Sequence, residues 1–213
     1  RRSQVNQAFE HFINASPKSP EYLSLYVDNK LRRGLKGATE DEVEEALERA
    51  MSLFRYVHEK DVFEKYYKQH LARRLLLARS VSDDAERSMI SKLKRECGFQ
   101  FTSKLEGMFT DIRLSADAMD NFRASLAKRS MSLPIELSVS VLTTGFWPTA
   151  AAGNCVLPSE AMLCCDEFKR NEAGYAYLGE NLATWGYTTF SVSQDQMMMR
   201  QDGAKGKGMH QRR

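Results

Sequence analysis

Phe54-Arg55-Tyr56-Val57-His58-Glu59-Lys60-Asp61-Val62-Phe63, running on into Tyr66-Tyr67-Lys68-Gln69-His70-Leu71-Ala72-Arg73-Arg74-Leu75-Leu76, is the stretch that decides the fold. Its apolar residues return at three- and four-residue steps, the signature of a helix that buries one face. A polar break at Ser80-Val81-Ser82-Asp83-Asp84 follows. The pattern resumes in Met89-Ile90-Ser91-Lys92-Leu93-Lys94 and in Gly98-Phe99-Gln100-Phe101-Thr102-Ser103-Lys104-Leu105, and carries on to Ile112. No catalytic grouping lies inside it. The residues describe a helical scaffold that holds partners.

Prolines frame this stretch. Pro17 and Pro20 lie near the start, and the next is Pro134, followed by Pro148 and Pro158. A proline-free span from Glu21 to Leu133 permits long helices, since proline inside a helix costs about 3 kcal/mol. Residues 3–15 predict a short helix through Val5, Phe9, Phe12 and Ile13. Ser19-Pro20-Glu21 predicts an N-cap with proline at the first helical position. The helix it opens carries Leu23, Tyr26, Val27 and Leu31, and Gly34 and Gly37 end it. Thr39 with Glu42 is a capping-box pattern. From there Val43, Ala46, Leu47, Ala50, Met51, Phe54 and Val57 keep helical spacing, with no strong breaker before Ser80. A single helix of that length would run about 60 Å at 1.5 Å per residue.

Asp83-Asp84-Ala85-Glu86 opens the next helix, which carries Met89, Ile90, Leu93 and Cys97 and stops at Gly98. Thr102 or Ser103 starts another, with Leu105, Met108, Phe109 and Ile112. Ser115 precedes a further one with Met119, Phe122 and Leu126. Consecutive helices joined by short polar turns predict a bundle. After Pro134 the period changes: Leu137, Val139 and Val141 alternate with Glu136, Ser138 and Ser140, a half-buried strand over 136–143. Its backbone must pair with a later strand or with another protein. Met162–Arg170 predicts a short helix and 188–192 a weak strand. The Met197-Met198-Met199 run reads as tail, and residues 201–213 read as disordered.

The net charge of +3 is too small to argue for nucleic acid, and basic residues are not interleaved with exposed aromatics. No apolar run is long enough for a bilayer, and no signal segment opens the chain. The start at Arg1-Arg2-Ser3-Gln4, without an initiator Met, reads as a fragment or processed product. Cys97, Cys155, Cys164 and Cys165 show no C-x-x-C spacing and read as buried reduced thiols. His58 and His70 lie on one predicted helix without a Cys or carboxylate at metal spacing, so packing or capping explains them. Tyr66, Tyr67, Phe63 and Phe109 fall on the buried stripe.

Residues 16 to about 158 resemble the carboxy-terminal half of a cullin, the scaffold of RING ubiquitin ligases. The resemblance rests on Lys18-Ser19-Pro20-Glu21-Tyr22-Leu23, Glu59-Lys60-Asp61-Val62-Phe63, Tyr66-Tyr67-Lys68-Gln69-His70-Leu71-Ala72-Arg73-Arg74-Leu75, Ser82-Asp83-Asp84-Ala85-Glu86, Met89-Ile90-Ser91-Lys92-Leu93-Lys94 and Val141-Leu142-Thr143-Thr144-Gly145-Phe146-Trp147-Pro148. The wording is most similar to the family member that uses BTB-domain adaptors. The resemblance implies a mainly α fold, a cullin-type four-helix bundle followed by the start of a small α/β subdomain. It divides the chain into the end of a helical repeat (1–38), the bundle (39–132), a divergent α/β part (133–200) and a basic tail (201–213).

The resemblance also implies a role. The RING-box protein would add a strand to the cullin sheet, with Leu137, Val139, Val141, Leu142, Phe146 and Trp147 as its binding residues. Core packing under the sheet is the other reading of Phe146 and Trp147. Lys65, Lys68, Arg73 and Arg74 would belong to a basic channel that attracts the acidic tail of a ubiquitin-conjugating enzyme. A solvated helix face is the other reading there. Zinc would sit in the RING protein and catalysis in the partners, so this chain is expected to be a non-catalytic scaffold with no cofactor, metal, nucleic acid or membrane. A cullin exchange factor is a further partner that the resemblance allows, and cytoplasm and nucleus are the implied location. The adaptor-binding repeats and the winged-helix lysine that accepts a ubiquitin-like modifier have no counterpart in the sequence. Past Pro158 the pattern thins to echoes at 179–185 and 192–197. Two alternatives stay open: a truncated interaction protein without ligase activity, and an unrelated enzyme, for which no convergent acid, base or nucleophile is visible.

Overall fold

The computed structural model describes residues 2–148, 157–173, 189–192 and 197–200. Expectations for Cys155, the 179–185 echo and the 201–213 tail lie outside the described residues. Among the described residues seven α-helices and three short strands follow in the order α1 (Arg2–Asn14), α2 (Ser19–Asn29), a π-helical turn (Lys30–Gly34), α3 (Glu40–Phe54), α4 (Lys60–Leu76), α5 (Asp83–Cys97), α6 (Phe99–Lys128), β1 (Leu137–Ser140), α7 (Ser159–Ala173), β2 (Thr189–Val192) and β3 (Met197–Arg200). The fold is mainly α, as the spacing predicted. The chain forms two compact units, Arg1–Glu106 and Gly107–Arg213, divided within α6. Among the described residues no helix is long and apolar enough to cross a membrane.

In the first unit α2 to α5 bury most of the apolar stripe that the sequence marks. α2 contributes Leu23 and Val27, α3 Leu47, Ala50, Met51 and Phe54, α4 Phe63, Tyr67 and Leu71, and α5 Met89, Ile90 and Leu93. Phe54, Phe63 and Tyr67 form an aromatic run with centroids 4.8 and 5.6 Å apart. The capping box at α3 is formed: Glu42 N donates to Thr39 Oγ1 at 3.3 Å, and Thr39 N donates to Glu42 Oε2 at 2.8 Å. Ser82 caps α5, its hydroxyl accepting from Asp84 N and Ala85 N. Gly98 ends α5 at φ +82°, a backbone that glycine adopts without strain.

Several expectations change. The long helix after Thr39 breaks into α3 and α4 at residues 55–59, so the 60 Å rod does not form. No glycine or proline marks this break because its cap comes from a distant residue. Asn14 Nδ2 donates to Tyr56 O at 2.7 Å, and His58 N donates to Asn14 Oδ1 at 2.9 Å, satisfying backbone groups that the turn leaves unpaired. Val57 is buried there, and His58 lies before α4, exposed, against Glu10 at 2.6 Å. α2 begins at Ser19 itself, with Pro20 inside its first turn. α1 forms as predicted, but Val5, Phe9 and Phe12 are exposed.

The two helices expected after Gly98 are one, α6, because Ser115 does not interrupt it. Its hydroxyl donates back to Asp111 O at 2.7 Å, a bond compatible with continued helix. In the second unit Ala118, Met119 and Phe122 of α6, Leu137 and Val139 of β1, and Cys164, Cys165 and Phe168 of α7 form one core. Phe122 and Phe168 meet edge to face at 5.2 Å. Cys164 and Cys165 are buried free thiols, and burial pushes Cys165 above the usual thiol range. α7 runs longer than the predicted 162–170. The sheet has the order β1-β2-β3 with antiparallel pairs, Leu137 opposite Val192 and Ser140 opposite Thr189. The 188–192 prediction thus holds, whereas Met197–Arg200, read as tail, pairs with β2 as β3.

Candidate functional site

β1 is an outer strand of this sheet, because the order β1-β2-β3 gives it one neighbour among the described residues. It is shorter than the expected 136–143. The alternation stops after Ser140 because the next backbone groups bond to α6 instead of to a strand. Val141 N donates to Ser115 Oγ at 2.8 Å. Two residues on, Thr143 N donates to Asp111 Oδ2 at 2.7 Å and Thr143 Oγ1 to Asp111 Oδ1 at 2.8 Å. Trp147 Nε1 donates to Asp111 Oδ2 at 2.7 Å. One buried carboxylate therefore takes three donors from the segment that leaves the strand.

A turn closes over this anchor, with Phe146 N bonded to Thr143 O at 3.3 Å and Gly145 at φ +83°. Phe146 then lies over Gly107. A Cβ at residue 107 would fall inside the contact distance of the Phe146 ring, so the glycine leaves room for the aromatic.

These contacts correct the binding residues expected from the sequence. Leu137, Val139, Leu142 and Trp147 are buried within their own unit, Val141 is partly buried in the same core, and Phe146 is half-buried against Gly107. Their side chains serve core packing. What β1 offers outward is a backbone edge that has no strand partner among the described residues, and the exposed face carrying Ser138.

The basic group on α4 is corrected as well. Lys65 and Arg73 are exposed and Lys68 half-buried, and among the described residues no carboxylate pairs with them. Arg74 is not with them. It is 1% exposed and donates to Glu86 Oε1 at 2.5 Å, Glu86 Oε2 at 2.9 Å and Asp28 Oδ1 at 2.6 Å. Burial works against its charge, but the bonds to Glu86 and Asp28 outweigh that, so the guanidinium stays charged. Its carbon lies 5.6 Å from the Tyr67 ring centre. Burial, followed by the charge of Glu86, keeps the Tyr67 phenol protonated far above its ordinary range. Arg74 ties α2, α4 and α5 together. Among the described residues no group of three His, Cys, Asp or Glu is placed to hold a metal.

Asp111 and Gly107 escape the sequence reading, and Ser115 and Glu86 enter it only as residues that open helices. Asp111 has a visible signal: an acidic residue three past Met108 and four before Ser115, on the face α6 buries.

A family model described as "Cullin: Cullin alpha solenoid domain" matches residues 2–119. The chain belongs to the cullin family. It is 64% identical to Cullin-3 of Dictyostelium discoideum over 165 residues, which cover 78% of this chain and 22% of that protein. It is 57% identical to Cullin-3A of Arabidopsis thaliana over 168 residues, 79% of this chain and 23% of the relative. Human Cullin-4A is 49% identical over 179 residues, 83% and 23% respectively. The chain thus spans less than a quarter of the length of these cullins. The matched description is of the alpha solenoid, whereas the sequence resemblance placed residues 39–132 in the carboxy-terminal bundle.

Proposed function

We propose that this cullin chain is a non-catalytic scaffold segment of a ubiquitin ligase, and that β1 receives a strand from the RING-box protein. The observation that carries the reading is the outer position of β1 in the sheet, with its exit fixed by Asp111 and Ser115. A rigidly held strand with one open edge suits main-chain addition, in which backbone bonds supply affinity. Leu137 and Val139 would support the strand from beneath. On α4, Lys65, Lys68 and Arg73 would steer an acidic conjugating-enzyme tail, an effect that weakens as salt rises.

The solenoid description of residues 2–119 favours a second reading, in which the helices present a surface to a BTB-domain adaptor. The two readings separate in one experiment. The chain is co-expressed with a tagged RING-box protein or a tagged BTB adaptor and resolved by size exclusion, and amide exchange is measured over Leu137–Ser140. A 1:1 RING-box complex with new protection in β1 supports strand addition. A complex without added protection there overturns the β1 site, and adaptor binding alone overturns the RING-box reading for this segment.

A further inference from the structure

The two sides of α2 are both apolar, and only one is used by the fold. At about 100° per residue, Pro20, Leu23, Ser24, Val27 and Asp28 fall on one half of the helix, and all are buried. Tyr22, Leu25 and Tyr26 fall on the opposite half and are 57%, 48% and 41% exposed. Lys18 and Asn29 extend that outer stripe at either end, and Arg33 follows in the π-helical turn, all exposed. Lys30 Nζ lies 5.5 Å from the centre of the Tyr26 ring, so a cation is held over the stripe itself.

The charges along this face have one sign. Lys18, Lys30, Arg33 and Lys36 have no carboxylate partner among the described residues, whereas Arg32, on the inner side, pairs with Asp28 at 3.7 Å. The acidic residues between Lys18 and Lys36 are Glu21 and Asp28, and Asp28 is buried on the inner side against Arg74. A π-helical turn widens the helix where the basic residues cluster, and such turns are frequent at functional positions.

We infer that this stripe docks an acidic amphipathic helix of a partner protein. Tyrosine and leucine at four-, three- and one-residue steps match the ridge spacing of a second helix, and the flanking cations select carboxylates around its apolar residues. Leu25, at the centre, offers no π-face for a nucleobase, which favours a peptide over single-stranded nucleic acid. This surface is independent of the β1 reading.

The test is fluorescence anisotropy with the full chain and a labelled four-turn peptide, about 15 residues, bearing Leu and Phe at i, i+4 and i+7 and Glu elsewhere. A scrambled peptide, a Lys-for-Glu peptide, oligo(dT) and phosphatidylserine vesicles run beside it. The acidic amphipathic peptide is expected to bind, with at least about tenfold weaker binding to Leu25→Glu, a loss of about 1.4 kcal/mol. All substituted positions are exposed, and ellipticity confirms that each variant stays helical. Lys18→Glu with Arg33→Glu is expected to reverse the preference toward the Lys peptide, a gain that misfolding does not produce. Equal binding of the scrambled or Lys peptide, or unchanged affinity in Leu25→Glu, overturns the inference. So does tighter binding of oligo(dT) or vesicles. A dimer in sedimentation that Leu25→Glu dissolves assigns the stripe to a second copy and overturns it too.

Discussion

Arg74 and Glu86 face each other in a two-bond fork, Nε to Oε1 at 2.5 Å and Nη2 to Oε2 at 2.9 Å, with neither side chain reaching solvent. Asp28 takes Nη1 and Ser80 Oγ donates to Glu86 Oε1 at 2.8 Å, so the donors and acceptors are nearly all used. Such a group adds little net stability over apolar residues, because desolvating its charges offsets their attraction. Breaking it is different. Arg74→Met strands two carboxylates in the interior, and a loss of about 3–5 kcal/mol is expected. Replacing all three, Asp28→Leu, Arg74→Met and Glu86→Leu, is expected to return the urea midpoint to near the wild-type value. The 222 nm transition measures both.

Much of this was legible, and its limits are physical. Helical stripes, the Thr39–Glu42 box, the Gly98 stop and the 188–192 strand are local features, fixed by residues within a few positions of one another. Arg74 was misplaced although the signal was present. It continues the row Phe63, Tyr67, Leu71 and stands half a turn from Lys65, so the wheel already put it inside. The break at 55–59 was not legible, because its cap is Asn14, more than forty residues away. Asp111 escaped for the same reason: its three donors come from residues 143 and 147, and sequence spacing does not reveal that they meet.

Gly107 and Phe146 form a size-matched pair. Gly107→Ala places a methyl inside the ring contact and is expected to destabilise the second unit by about 1–3 kcal/mol, the range for overpacking. Phe146→Leu in the same chain is expected to recover most of that loss. Trp147, the next residue, is buried, so tryptophan emission during urea unfolding, measured in a Trp185→Phe background, reports on this segment.

Asp111 tests the anchor under β1. Asp111→Ala leaves Thr143 N and Trp147 Nε1 without their acceptor and is expected to cost about 2–4 kcal/mol, with red-shifted emission in a Trp185→Phe background. Asp111→Asn is milder for a reason of geometry. Its single oxygen can stand at the Oδ2 position that holds both N–H groups, and its amide can donate to Thr143 Oγ1. A smaller shift than Ala, about 1 kcal/mol, is expected. Equal losses in the two variants would mean that charge, and not hydrogen-bond geometry, holds the segment.

His70 sets a pH dependence whose sign follows from its surroundings. Burial lowers its pKa below the ordinary value, Asp28 works in the opposite direction, and Arg74, Arg73 and Arg32 lower it further. The unfolded chain therefore binds a proton here at a pH where the folded chain does not. The stability held above the unfolded-state value, near 6.5, is lost as the pH falls through the window down to the lowered folded pKa. His70→Gln removes this titration and changes no other residue. Urea midpoints measured at pH 7.5 and pH 5.5 are expected to fall further for the wild type than for His70→Gln. The difference between the two falls isolates His70 from every other group that titrates in that range. A larger fall in the variant would mean that His70 gains its proton on folding, which would require Asp28 to dominate both burial and the three arginines.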